Sequence, residues 1–322
     1  MYTIFQRTEI SEPSLFSPSD TTKRIENFPE ICISTFSDNI IQKFSSLDNV
    51  EKIAELYSAS GALPVYQINY KNTAIAFYRS MVGAPACVAC LEEIIAMGAK
   101  KFVLFGSCGV LDDDKVKDNI IIPVSAVRDE GTSYHYIAPS PEIEADAHSI
   151  QILENVLTDC GYSYVKGKTW TSDAIYRETL SAIEERRQEG CIAVEMECAS
   201  MLAVSKYRHI PFIQFLYGAD NLSSDTWEIR DLMSYGLTNA EKYMVLAFEC
   251  GLAMYKGRYH DTHPKSSIHQ IIRAILEANA IKQRRKCPFY QHFRRSVRYS
   301  NSFSSSLQVL FFVAFSHKIV PF

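Results

Sequence analysis

Three short stretches carry residue types that bond-breaking chemistry needs. Gly106-Ser107-Cys108-Gly109 follows an apolar run. Small residues let backbone N–H groups turn into one cavity, and a serine hydroxyl adds a donor, so such a turn can hold an anion. It can equally be a plain strand-to-loop turn. Val194-Glu195-Met196-Glu197-Cys198-Ala199 sets two carboxylates about a methionine, where a short apolar run enters a helical pattern. Acids at a helix start are favoured by its dipole. A carboxylate at the C-terminal edge of a strand can also accept two hydrogen bonds from a vicinal diol such as that of ribose, with Met196 as an apolar face beside it. Asp220 ends the apolar run that starts at Ile210. A carboxyl there is pushed toward holding its proton, as a general acid must. The other reading is a helix or turn cap, which Asn221 and Ser223 suggest.

Other features point to packing or solvation. Cys87 and Cys90 have the spacing of a metal or redox pair, yet they sit inside an apolar helical stretch with no second pair. His135 lies in a polar stretch, Asp129 to Tyr136, and stands alone. Arg284-Arg285-Lys286 reads as a solvated face, since a nucleic-acid patch needs interleaved aromatics.

The elements that must position these groups alternate. Strands are predicted over 73–78, 101–105, 119–127, 165–170, 192–194 and 210–217. Helices are predicted over 84–99, with Pro85 near its start and Gly98 near its end, and over 149–160, 177–188, 196–207 and 237–255. The stretch 48–58 is predicted as one short helix, in a first 60 residues that Pro13, Pro18 and Pro29 otherwise punctuate. Alternation of this kind predicts an α/β fold: three layers, α/β/α, about a central mixed and mainly parallel sheet.

The 322 residues, 47% apolar, can bury a large core. The net charge of −4 is unevenly divided. Residues 258–322 hold 11 Lys+Arg against 2 Asp+Glu, and residues 1–257 hold 22 against 35. This predicts a domain over 1–257 and a basic C-terminal appendage, poorly ordered, over 258–322. Nine scattered cysteines and an N-terminus without an apolar core predict a reducing, cytoplasmic setting, and no run reaches the roughly 20 apolar residues of a spanning helix.

Together, the chemistry-bearing stretches resemble the nucleoside phosphorylase family, which takes in purine nucleoside phosphorylases, uridine phosphorylases and related nucleosidases. The likeness runs from about 70 to 255. VGAPACVACLEEIIAMGAKKFVLFGSCGVL resembles the glycine-proline turn, helix and phosphate-side loop; IIPVSAVRDEGTSYHY resembles the strand and loop that follow. TWTSDAIY is similar to the base-pocket strand, and QFLYGADNL to the strand carrying a purine-side aspartate. AVEMECASMLAVSKYR matches the ribose-binding signature most specifically.

The resemblance implies that Glu197 binds the ribose hydroxyls, that Met196 packs under the sugar, and that Glu195 is a further substrate-binding residue. It implies that Gly106 and Ser107 bind phosphate, Ile175 lies at the base, and Asp220 meets N7 of a purine leaving group. The chain departs from the family pattern at Leu104, where an arginine is usual, and at Ile175, where an aromatic often stacks on the base. No glycine-aspartate-proline loop with its arginine is evident in residues 1–40. Arg79 is then the candidate to supply the missing positive charge. Thr179 and Ser181 stand where uridine phosphorylases carry glutamine and arginine. The function implied is cleavage of a nucleoside, purine before pyrimidine, with phosphate as co-substrate. The alternatives are uridine phosphorolysis, hydrolysis by water, and binding without catalysis. No metal, organic cofactor, membrane or nucleic acid is implied. A homo-oligomer, dimer or hexamer, is.

Overall fold

A computed structural model of the chain describes residues 3–6, 12–224, 226–230 and 240–256. The chain divides into two units, Met1–Arg273 and Ala274–Phe322. The appendage expected over 258–322, and the start of the helix expected over 237–255, lie outside the described residues.

In chain order the elements are α1 (Pro18–Thr21), β1 (Ile31–Thr35), α2 (Asp38–Ser45), β2 (Val50–Ser58), β3 (Gly61–Tyr70), β4 (Thr73–Arg79), α3 (Ala84–Met97), β5 (Lys101–Val110) and α4 (Asp113–Val116). Then follow β6 (Ile120–Asp129), β7 (Glu142–Glu144), α5 (Ala147–Cys160), β8 (Tyr164–Ser172), α6 (Leu180–Gln188), β9 (Cys191–Glu195), α7 (Cys198–Arg208), β10 (Phe212–Asn221) and α8 (Ala240–Lys256). The fold is mixed α/β about one large sheet, as the alternation predicts. Sequence reading fails in the first 60 residues. The stretch expected as a helix over 48–58 is strand β2, and its hairpin with β3 turns at Gly61, with φ of 112°. Glu51, Lys52 and Glu55 are good helix formers. Here they lie exposed on β2, where only Leu56 is buried, so the strand shows no two-residue alternation.

The ten strands run β10-β6-β8-β9-β5-β1-β4-β3-β2, with β7 beside β6. β10 also pairs with β5, so β5, β10, β6, β8 and β9 form a closed circuit and the rest of the sheet fans out from β5. β1 is buried at all five positions because both its faces are covered. Ile31 meets α8, where a Cβ on Gly251 would lie 2.6 Å from its methyl, and Cys32 joins the core formed with α3 and α7. Phe248 of α8 packs against Phe44, Tyr70 and Phe77, tying α2, β3 and β4 to one helix. Burying side chains of this size stabilises by roughly 1.5–3 kcal/mol each.

Gly106–Gly109 does not form the turn expected of it. β5 runs on through Val110, so these residues stay extended. One edge of β5 pairs with β10 throughout. The other pairs first with β1, ending at Thr35↔Phe105, and then antiparallel with β9, from Gly109↔Val194. The C-terminal ends of β1 and β9 therefore approach head to head along one edge of β5. The gap between them lies beside Gly106, Ser107 and Cys108.

Candidate functional site

The gap is where three strand ends deliver polar side chains. β9 brings Glu195, Met196 and Glu197; β1 brings Phe36 to Asp38; and Arg79 ends β4, in register with Thr35. Across β5, Asp220 pairs with Gly109. Val194 and Asp220 thus flank one residue, roughly 10 Å apart at two strand spacings. Gly109 is required there. A Cβ would come within 2.6 Å of Leu222 and 2.9 Å of Val194, and 3.6 Å from Asp220 Oδ1.

The two glutamates have different occupations. Glu195 is buried, and its carboxylate accepts from its own chain: Thr171 Oγ1 at 2.6 Å, Glu197 N at 2.7 Å and Cys198 N at 2.6 Å. Thr171 Oγ1 in turn accepts from Ala199 N at 3.0 Å. These bonds satisfy backbone donors of the first turn of α7, which a helix cannot satisfy itself. The substrate-binding role expected of Glu195 does not fit this bonding, because both its oxygens are engaged inward. The capping reading belongs to Glu195 and not to Glu197, whose side chain makes no cap.

Glu197 is 5% exposed and accepts from Gly83 N at 2.6 Å. Gly83 opens α3 with φ of 93°, a conformation that favours glycine, and so aims its N–H across the gap. Burial first, then the charge of Glu195, raise the Glu197 pKa to about 8, against the opposing pull of the Gly83 N–H. Met196, between the two acids, is only partly buried.

On the other side of β5, Asp220 Oδ2 accepts from Trp227 Nε1 at 2.8 Å. Burial raises the Asp220 pKa, and the indole N–H opposes it. The turn-capping reading goes to its neighbour, since Asn221 Oδ1 accepts from Ser223 N at 3.0 Å. Sequence reasoning missed Trp227, whose signal is an aromatic seven residues past Asp220 in a polar loop. Ile175, in a 3-10 turn after β8, is 51% exposed. Thr179 caps α6 through Ala182 N, and its hydroxyl lies 3.1 Å from Ser181 Oγ.

The nucleophile side differs from expectation. Arg79 reaches the same sheet edge as Ser107, but its Nε lies 3.5 Å from Asp38 Oδ1. The Phe36 ring covers Gly106, where a Cβ would meet it at 2.8 Å. Leu104 is fully buried, in the core with α3 and α7. The Ser107 hydroxyl has no partner among the described residues. Sequence reading passed over Phe36 and Asp38 because they follow β1, which it did not recognise.

Among the described residues no three His, Cys, Asp or Glu side chains are placed to hold a metal ion, and no helix is long and apolar enough to cross a membrane. The Cys87–Cys90 pair is buried, and both thiols are free.

Comparison with known proteins places this geometry. The chain is 23% identical over 153 residues to a guanosine phosphorylase of Halorubrum lacusprofundi, covering 48% of this chain and 64% of that one. It is 25% identical over 177 residues to a uridine phosphorylase of Thermococcus kodakarensis, covering 49% of this chain and 64% of the relative. The matches thus span somewhat under two thirds of each relative. In fold it is similar to a crystal structure of purine nucleoside phosphorylase from Toxoplasma gondii in complex with immucillin-H. That likeness has a TM-score of 0.60 and 19% identity, over 73% of this chain and 94% of the other. Residues 30–247 match the phosphorylase superfamily as a family, from the residue before β1 to the middle of α8, and the chain belongs to that superfamily.

Proposed function

We propose that the chain cleaves the N-glycosidic bond of a nucleoside, purine before pyrimidine, and passes the ribosyl group to phosphate, leaving base and ribose 1-phosphate. The observation that carries this is the placement of Glu197 and Asp220 on either side of β5, one anchored by Gly83 N–H and the other by Trp227. The bond breaks through a cation-like sugar and a base that gains negative charge. Glu197, with acceptor capacity left after its bond to Gly83, takes the ribose diol. Asp220, whose pKa burial raises, protonates or hydrogen-bonds N7 of the base. Met196 lies along the sugar, and Ile175 at the rim of the base side. Ser107, Gly106 and Arg79 face the nucleophile. Rate acceleration then comes from positioned charge and orientation. Thr179 and Ser181 are engaged at the start of α6, with each other and with Ala182 N, which supports purine over uracil. The reading uses no metal or organic cofactor, and it takes the working form to be a homo-oligomer, dimer or hexamer.

One set of observations favours water over phosphate. Asp38 shares the charge of Arg79, Phe36 fills the space over Gly106, and Leu104 replaces a cation with buried hydrocarbon. A carboxylate near the nucleophile repels a phosphate dianion.

Incubation with inosine, adenosine and uridine, with and without phosphate, decides. Release of base only with phosphate supports transfer to phosphate, and equal release without it supports water. Release with neither defeats cleavage. Glu197→Ala is expected to lower kcat/KM by about 100-fold or more through lost ribose contacts. Asp220→Asn should hurt purine nucleosides more than uridine; equal loss on both removes its role at N7.

A further inference from the structure

A third carboxyl borders the base side of this gap. Glu178 follows the 3-10 turn Ile175–Arg177 and precedes the cap of α6. Ile175, Tyr176 and Leu180 around it are 51%, 95% and 66% exposed, whereas Glu178 is half-buried. In this segment the carboxyl turns inward and the apolar side chains turn out, the reverse of what hydrophobicity dictates. Among the described residues Glu178 has no hydrogen bond or ion pair. Ala182, in the first turn of α6, and Leu222, two residues past Asp220, pack against the same cluster as Val194 and Ile183, which brings the start of α6 and Glu178 to the Asp220 side of β5. Burial, and then the charge of Asp220, raise the Glu178 pKa to about 7. A half-buried acid without a protein partner is left for water or a ligand to complete.

We propose that Glu178 reads the 6-substituent of the base, and that the site binds 6-aminopurine nucleosides in preference to 6-oxopurine ones. This rests on Asp220 lying at the base, as in the proposed function. The edge of adenine that carries N7 presents an acceptor, N7, next to a donor, the 6-amino group. Hypoxanthine and guanine present two acceptors there, N7 and O6. Two neighbouring carboxyls cannot both ionise readily, so they tend to hold one proton between them. Such a pair is one donor and one acceptor. With a 6-aminopurine bound, the N7 acceptor draws that proton to Asp220, and Glu178, then ionised, accepts from the 6-amino group. A 6-oxopurine would set O6 against the Glu178 carboxylate. Trp227 Nε1, already bonded to Asp220, fixes which way that carboxyl faces.

The test compares adenosine with inosine, by kcat/KM, in the full-length protein and in Glu178→Gln and Glu178→Ala. Equilibrium binding of free adenine and hypoxanthine to the same three proteins is measured by calorimetry. The wild type is expected to prefer adenosine and adenine. In Glu178→Gln, whose amide can donate to O6, that preference falls by about 10- to 100-fold, the discrimination one good base contact supplies. In Glu178→Ala the adenine side weakens with no gain for hypoxanthine. Equal binding of the two bases by the wild type, or an unchanged ratio in Glu178→Gln, overturns the assignment. Binding of neither base overturns it as well. If adenosine is cleaved but the ratio ignores Glu178, this inference fails and the cleavage reading stands. If nothing is cleaved yet adenine is preferred through Glu178, the cleavage reading fails and this one stands.

Discussion

At the scale of the residue, burial assigns the work. Glu197 and Glu195 sit two apart with the same side chain, but only Glu197 keeps a face toward the gap. Because its pKa is raised to about 8, the folded chain holds a proton there at neutral pH, and the ionised form, the better acceptor for two hydroxyls, grows as pH rises. The ratio of adenosine to adenine affinity isolates the sugar. It is expected to climb with pH and level off above about 8, and to stay flat in Glu197→Gln; a flat ratio in the wild type would remove Glu197 from the ribose. Stability runs the other way. A carboxyl whose folded pKa exceeds its unfolded value contributes stability that is complete below the unfolded pKa and is lost as pH rises through about 8. The thermal midpoint of Glu197→Gln should therefore gain on the wild type between pH 5 and 9. The pair of acids about Met196 was legible from spacing. Which of them caps the helix was not, because that depends on Thr171, 24 residues away. Phe36, Asp38 and Glu178 act through neighbours brought by other strands, and no local pattern marks them, whereas Trp227 answers to Asp220, seven residues before it.

At the scale of the element, the β9–α7 junction is the part on which the site depends. Glu195 and Thr171 satisfy Glu197 N, Cys198 N and Ala199 N, so the first turn of α7 is fixed to β8 and the Glu197 backbone with it. Thr171→Val removes the hydroxyl that accepts from Ala199 N and donates to Glu195. It should destabilise by about 1–3 kcal/mol, the range for a buried group left unpaired, which is a drop of several degrees at about 2–4 °C per kcal/mol. Nucleoside affinity should fall with it, since Glu197 loses its fixed start. A Thr171→Val protein that melts with the wild type would show the junction to be held otherwise. Elements with local signals were legible. α3 stops at Gly98, and α5 stops at Gly161 in the left-handed conformation, although α5 begins at Ala147 behind its Asp146 cap, two residues ahead of the start expected at 149. β5 was cut short at Phe105 because glycine and serine ordinarily mark a turn. Its glycines answer instead to close neighbours, Phe36 over Gly106 and Val194 and Leu222 over Gly109, which only the assembled sheet supplies.

At the scale of the whole molecule, the same alternation that predicted an α/β fold could not show that part of the sheet closes on itself. Closure needs β10 to pair with β5 on one side and β6 on the other. Those partners are far apart in sequence, and closure sets Asp220 across β5 from the glutamates. Every group assigned to the site lies between Phe36 and Trp227, inside the acidic body. α8 completes the core beneath it: Met244, Val245, Leu246, Ala247, Phe248 and Cys250 are fully buried, and Glu249 bonds Tyr70 and Lys71. Two shortened chains follow from this. One that keeps 1–257 retains α8 and every site residue, and it should match the full chain in thermal midpoint within a few degrees and in adenosine affinity within about twofold. One that keeps 1–239 removes α8 and exposes Ile31, Ile33, Phe44 and Phe77, an apolar area too large for a stable soluble domain, so it should fail to fold. Melting by circular dichroism and binding by calorimetry read both. If the 1–257 chain loses affinity while keeping its midpoint, the basic segment contributes to the site; if it loses both, the domain does not end at 257.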